Sequence, residues 1–366
     1  MSRPRAVPGR PAPVAGPARE RETGTVRSLR AGRRTNLALL VLLVLAIGTG
    51  AVAFALGTPV PGLLIAAAHA VVGLALVALV PWKRVIVRRR WRRTGHRGGM
   101  IGAALGVLVV LSIGAGVAHG LAGDLSVGGI SLMQVHVGAA VAAAALLVAH
   151  VLLRPQRPRR TDLSRRTLVR LLGVGAAGGG LYLALVGLDR LAALPGARRR
   201  VTGSYPTGSG DPAAMPVTQW FTDRVPALSV SDHDLLVDAG GRTRRVPYAT
   251  LAAATDQVRA TLDCTNGWYA EQRWQGVRLD RLLGAIDPGA AVRVVSVTGY
   301  HRSFPASDAP HLLLATGAAG ALLSAGHGGP LRLVAPGRRG FWWVKWVARV
   351  EVLDRPWWWQ SPFPLR

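Results

Sequence analysis

The chain has one cysteine, Cys264, in 366 residues, which excludes an internal disulfide and leaves a free thiol. A thiolate is a good ligand for a soft metal, and the bland alternative is a small buried apolar residue. Acidic residues are also scarce, 18 against 45 Lys and Arg, giving a formal charge of +27. Spread evenly, that charge would point to nucleic acid. It is not spread evenly: arginines crowd residues 1–35, 83–97 and 154–170, each beside an apolar run, so nucleic acid is not the expected partner. Carboxylates are missing from the interior of every long apolar run, which argues against an ion-coupled transporter.

Five stretches, about 36–57, 60–81, 100–122, 131–153 and 168–190, are apolar and reach the roughly 20 residues a bilayer crossing needs. The loops after the second and fourth are rich in arginine, whereas the other two carry only Asp124 as a charge. The positive-inside rule then puts the N-terminus in the cytoplasm and everything after about residue 191 outside, with Arg198, Arg199 and Arg200 as mild dissent. The Pro/Arg/Ala-rich start has little to bury and is expected to be a disordered tail. From about residue 200 the pattern changes to short alternating runs, Gly/Pro turns and scattered tryptophans. Leu235–Val237, Val292–Val297, Leu331–Val334 and Ala348–Leu353 read as strands, and Tyr248–Ala254 and Leu279–Ala285 as short helices. The expected fold is therefore multi-domain: an all-α transmembrane bundle of five spans, then a β-rich α+β domain.

The first four spans read as a duplicated pair. Leu45–Gly50 parallels Leu111–Gly116, and His69 parallels His136. Intramembrane histidines are costly and usually functional, so His69 and His136 are candidate axial ligands of one haem iron. The bland alternative is hydrogen bonding between helices. His136 and His150 lie 14 residues apart on one helix, about 21 Å along its axis. The repeat places Lys83 opposite His150, so a second haem would need His96 or another partner and is not expected. His119 is a spare ligand or an interfacial residue. The His-x-x-x-Gly of His69–Gly73 and the His136/His150 pair resemble the small four-helix cytochrome b561-type modules. Before the fifth span, Ser164-Arg165-Arg166-Thr167-Leu168-Val169-Arg170 resembles a twin-arginine export signal, retained here as an anchor.

Leu262-Asp263-Cys264-Thr265-Asn266-Gly267-Trp268, followed by Trp274–Val277, resembles the cysteine segment of the sulfite oxidase-type molybdopterin-dependent oxidoreductases. Gly326-His327-Gly328-Gly329-Pro330-Leu331-Arg332 and Gly340-Phe341-Trp342-Trp343-Val344-Lys345-Trp346 are similar to two further hallmarks, and Val297–Tyr300 stands where the family has its Gly-Tyr segment. The resemblance covers roughly 217–355 in collinear order. It implies that Cys264 ligates molybdenum and that a phosphate-bearing pterin is held by His327, Arg332, Arg338, Arg339 and Lys345 with the turns at Gly328, Gly329, Gly337 and Gly340. Tyr300 and His301 are the candidates for catalytic contacts beside Cys264, with Arg302 as an anion contact.

Departures from the family weigh on the substrate. Trp342 replaces an arginine that binds the anionic substrate in sulfite oxidases, Gln219–Arg224 replaces an upstream Arg-x-His segment, and no dimerisation domain follows before Arg366. A pocket walled by Trp342, Trp343 and Tyr300 would suit a less charged, bulkier small molecule. Trp357, Trp358 and Trp359 are read as packing, with an interfacial belt as the alternative.

The expected organisation is a cytoplasmic tail at 1–33, a four-helix module with a candidate haem b at 34–155, the twin-arginine-like segment and fifth span at 156–195, and an extracytoplasmic molybdopterin domain at 196–366. The resemblance implies a membrane-anchored molybdenum oxidoreductase exchanging electrons with the quinone pool, as in the bacterial pairing of a molybdopterin methionine-sulfoxide reductase with its haem-bearing membrane subunit. That pairing favours reduction of an S- or N-oxide. Sulfite-like oxidation by the same site, or a non-catalytic cofactor-binding membrane protein, are the alternatives.

Overall fold

The structure is a computed structural model that describes residues 32–55, 59–94, 99–153, 159, 162, 164–219, 223–230 and 232–364. The expected tail up to residue 31, His96, Arg97, Arg154, Arg157, Arg160 and Trp220–Thr222 lie outside the described residues.

Among the described residues, six helices form the first half: α1 (Arg33–Ala55), α2 (Pro59–Ala78), α3 (Val80–Thr94), α4 (Met100–Ala122), α5 (Leu132–Leu153) and α6 (Arg165–Leu191). All but α3 are long and apolar enough to cross a membrane. Their outward faces carry bare apolar side chains such as Leu64, Val107, Val141 and Leu183, each at least 66% exposed, as lipid contact requires. The basic stretch after α2, expected as a loop, is helical over α3. Its arginines are good helix formers, and Pro81 falls in the first turn, where a missing N–H leaves no bond unmade. Ser164 caps α6 by accepting from the Thr167 N–H, so this serine of the twin-arginine-like segment also has a local structural use. Within the bundle α1 packs on α2, α4 on α5, and α6 on α2, which is the duplicated pairing with α6 added to one side. A short hairpin, β1 (Ser126–Val127) and β2 (Ile130–Ser131), joins α4 to α5.

The second half comprises β3 (Tyr205–Pro206), β4 (Asp234–Ala239), β5 (Arg242–Pro247), α7 (Tyr248–Ala252), β6 (Asp256–Asp263), β7 (Trp268–Arg278), α8 (Leu279–Leu283), β8 (Ala291–Ser296), β9 (His301–Pro305), β10 (Leu313–Ala318), β11 (Ala321–Leu322), β12 (Arg332–Val334) and β13 (Val347–Leu353). One sheet runs β11-β10-β7-β3, with β12 pairing β10 and β6 pairing β7; the other runs β5-β4-β13-β8-β9. Leu235, Val237, Val292, Phe304 and Val350 from one sheet join Trp274, Leu313, Leu314 and Leu333 from the other in a single core. The expected strands and both short helices are present within a few residues. The β6–β7 hairpin and β10 were not expected. β10, Leu-Leu-Ala-Thr-Gly-Ala, is buried along its whole length and so lacks the alternation that marks a half-buried strand. The tryptophan run at the C-terminus divides: Trp357 packs on the core, whereas Trp358 and Trp359 are 61% and 70% exposed.

One end of the bundle carries the β-rich half. Phe54 at the end of α1 stacks on Phe341 at 5.7 Å, His119 near the end of α4 bonds Gly203, and α6 enters the domain through a turn at Pro195–Arg198.

Candidate functional site

Cys264 opens the turn between β6 and β7. Its N–H donates to Trp268 O (2.9 Å) and its carbonyl accepts from the Gly267 N–H (3.3 Å), with Gly267 at φ +95, a conformation glycine alone adopts freely. The thiol is partly buried, and its Sγ lies 3.5 Å from Thr218 Oγ1, which itself accepts from Trp268 Nε1 at 3.2 Å. The turn Gly340–Trp342 closes over the cysteine: a Cβ at Gly340 would sit 3.1 Å from Cys264 Cα. Asp263 and Arg339 hold these segments together through a backbone bridge and a buried ion pair. Asp263 also accepts from Ser204 Oγ (2.6 Å) and Thr202 Oγ1 (2.8 Å), and Arg200 lies 3.3 Å away.

Two cations lie near the same thiol. Arg332 is buried over the rings of Trp274 and Trp343, donates from Nη1 to His327 O (2.8 Å) and leaves Nε without a partner. Lys345 Nζ donates to Thr218 O and Gly326 O, both at 2.7 Å. Burial lowers the Arg332 pKa to about 10 against the pull of Cys264. Burial, then repulsion from Arg332, pushes Lys345 down to about 7, again opposed by Cys264. A buried Arg332 and a part-buried Lys345 near one thiol call for an anion, because an uncompensated buried charge is strongly unfavourable. A phosphate-bearing, sulfur-rich pterin bound to molybdenum is such an anion, so these residues fit the group.

The other candidate ligands are distributed differently. His327 is buried with both ring nitrogens used, Nε2 donating to Met215 O (2.9 Å) and Nδ1 accepting from Ser324 Oγ (2.8 Å). Burial lowers its pKa, which favours this neutral form. It therefore shapes the turn at Gly328, where an added Cβ would lie 2.9 Å from Lys345 Cγ. Arg338 pairs with Asp308 at 2.9 Å and lies over Trp342 and Trp357. Tyr300 donates to Phe341 O (2.5 Å) and accepts from Arg302 Nε (2.8 Å), so it braces the turn over Cys264; burial raises its pKa. His301 is exposed, with Nδ1 on its neighbour Gly299 O. Arg302 is buried and spends both Nη groups on Ser361 O and Phe363 O. Trp342 and Trp343, expected to wall a pocket, are 8% and 2% exposed and pack on Phe304 and Trp274. Thr218, Ser204 and the Asp263 clamp were missed by sequence reasoning; only Asp263, beside the cysteine, carried any signal.

In the bundle, the rings of His69 and His136 meet edge to face with centroids 5.8 Å apart. Each points Nδ1 at a carbonyl of the paired helix, His69 at Ala46 O (3.0 Å) and His136 at Ser112 O (2.8 Å). Such a bond places the proton on Nδ1 and frees Nε2 for a metal. Gly50 and Gly116 make room for the rings, since a Cβ there would lie 2.9 Å and 2.8 Å from them. The inner positions do not match: Lys83 bonds Asn36 at 3.3 Å, whereas His150 packs by Gly102.

The β-rich fold brings the Cys264 turn together with Arg332 and Lys345, a donor set that suits a molybdopterin cofactor. Residues 222–360 match the family described as oxidoreductase molybdopterin binding domain. That match covers less than half of this chain, lies wholly in its β-rich half, and supports molybdenum-dependent redox chemistry there. Among solved structures, the sulfane dehydrogenase SoxCD from Paracoccus pantotrophus is similar at 26% identity, with a TM-score of 0.34, over 36% of this chain and 40% of that one. This chain thus matches less than half the length of that relative.

Proposed function

We propose that this is a membrane-anchored reductase of S- or N-oxides, with molybdenum on Cys264 and a haem b on His69 and His136. The observation that carries the reading is the joining of the two candidate redox sites in one unit, the Cys264 turn resting on the bundle end at His119 and Met133, each three residues along its helix from the Gly116–His136 contact. When bound, the molybdenum cofactor supplies two-electron oxygen-atom transfer. The chain's own residues do the rest. Cys264 anchors the metal, Arg332 and Lys345 neutralise the bound anion, and Gly340 lets its turn lie against the cysteine backbone. Trp342 stands where sulfite oxidases carry an arginine, and the cations over its ring, Arg302 and Arg338, are engaged by Ser361 O, Phe363 O and Asp308, which favours a neutral oxide over sulfite.

The five apolar helices and their arginine-rich flanks support a multi-pass membrane protein with the β-rich half outside the cytoplasm. The Ser164–Arg170 start of α6 then serves to export that half already folded and loaded. A lipid-soluble quinol is the electron source: its oxidation to quinone releases two electrons and two protons, and an oxide X=O takes up the same number to give X and water.

Metal analysis and a visible spectrum of the purified protein test the reading, followed by turnover with sulfoxides, N-oxides and sulfite. Molybdenum, a haem b spectrum and oxide reduction are expected. Molybdenum without haem bands refutes the electron path, and turnover of sulfite alone refutes the direction.

A further inference from the structure

The segment Thr202–Tyr205 is bonded on both sides. Toward the molybdenum site, Ser204 Oγ reaches Asp263 Oδ1 at 2.6 Å and Cys264 O at 3.3 Å, and Thr202 Oγ1 reaches Asp263 Oδ2 at 2.8 Å. Toward the bundle, His119 Nε2 donates to Gly203 O at 2.8 Å and Tyr205 Oη donates back to His119 O at 2.6 Å, its ring edge-on to the imidazole. His119 is 3% exposed, an expensive place for an imidazole unless its bonds are needed. The Cys264 turn also touches α4 and α5 directly, because a Cβ at Gly267 would lie 3.1 Å from the His119 ring and 3.4 Å from Met133. Gly116, against which the His136 ring rests, lies three residues before His119, about 4.5 Å along the helix.

We propose that this strap, Thr202–Tyr205 with His119, is the electronic connection between the Cys264 site and the His69–His136 site, and that His119 is the positioning residue that closes it. This rests on the reading that the two histidines hold a haem. A bonded course runs from Cys264 O through Ser204 to Gly203 O, across the His119 Nε2 bond, and along one turn of α4 to the contact with His136. The two electrons taken from quinol cross here singly to the site where X=O is reduced, while the two protons of that reduction are taken up at the oxide.

The test uses the full chain in detergent, loaded with both cofactors. His119→Phe keeps an aromatic ring beside Tyr205 but removes the donor; His119→Gln restores a donor; Tyr205→Phe removes only the bond to His119 O. The haem is reduced chemically, and its reoxidation by added sulfoxide is followed at the haem band by stopped flow. Turnover driven by a soluble reduced viologen is measured separately. Reoxidation slows several-fold in His119→Phe, less in Tyr205→Phe, and recovers in His119→Gln, while molybdenum content, haem spectrum and viologen-driven turnover stay as in the parent protein. Unchanged reoxidation in haem-replete His119→Phe and Tyr205→Phe overturns this inference alone. So does a loss that tracks falling molybdenum content, since the strap would then only hold the fold. A parent protein without haem bands overturns the underlying reading and this inference with it.

Discussion

Lys345 gives the sharpest quantitative prediction, because its charge is tolerated only if an anion answers it. Its pKa falls from 10.5 to about 7 through burial and the nearby Arg332. The unfolded chain, with an ordinary lysine, therefore binds more protons than the folded chain between those values, so stability of the cofactor-free protein rises as pH goes from about 7 towards 10. At roughly 1.4 kcal/mol per pH unit, the full interval is worth about 5 kcal/mol and the step from pH 7 to pH 9 about 2–3 kcal/mol. For a domain of this size that step is a Tm rise of about 5–10 °C. The chain has only one other lysine, Lys83, so the comparison with Lys345→Met isolates the effect. The assay is thermal unfolding in detergent at both pH values, on protein from a host unable to make molybdopterin. Lys345→Met should lose most of the rise, and at pH 7 should unfold at a higher temperature than the parent. Loading the cofactor should remove the slope as well, because the anion restores the ordinary lysine range. Parallel curves for parent and Lys345→Met would refute the argument, since Lys345 would then be paired or solvated in the cofactor-free state.

Further outcomes are expected at other positions. Cys264→Ser abolishes oxide turnover and molybdenum retention while the Tm of the cofactor-free protein stays within a few degrees, as metal analysis and calorimetry would show. His69→Leu or His136→Leu removes the haem band but leaves viologen-driven turnover at the molybdenum site, and a retained band would disprove axial ligation. Gly340→Ala forces a methyl against the Cys264 backbone, 3.1 Å from its Cα, and should cost about 1–3 kcal/mol, with looser metal retention. Asp263→Asn strips the charge from a buried pair with Arg339 and should cost about 3–5 kcal/mol in thermal or denaturant unfolding.

The parts of this molecule that the sequence makes legible are those whose partners are near in the chain or repeat at a fixed offset. The Cys264 turn is compact, with its glycine and following tryptophan in view, and α1 and α4, which face the two histidine helices, repeat their glycines with the same spacing. Side chains that matter through distant partners stay hidden: Thr218 lies 46 residues from the cysteine it touches, and Ser204 lies 59 residues from Asp263. Trp342 and Trp343 show the opposite error, since an aromatic pair beside a metal motif looks like a pocket wall until burial places it in the core. Gly267 combines both situations. Its positive φ marks it as a turn glycine from its neighbours alone, but its missing side chain also leaves the space that the His119 ring fills. A larger residue there would strain the turn and lift the cysteine off the bundle together, so a backbone requirement of the metal site is also the condition for its contact with the helices.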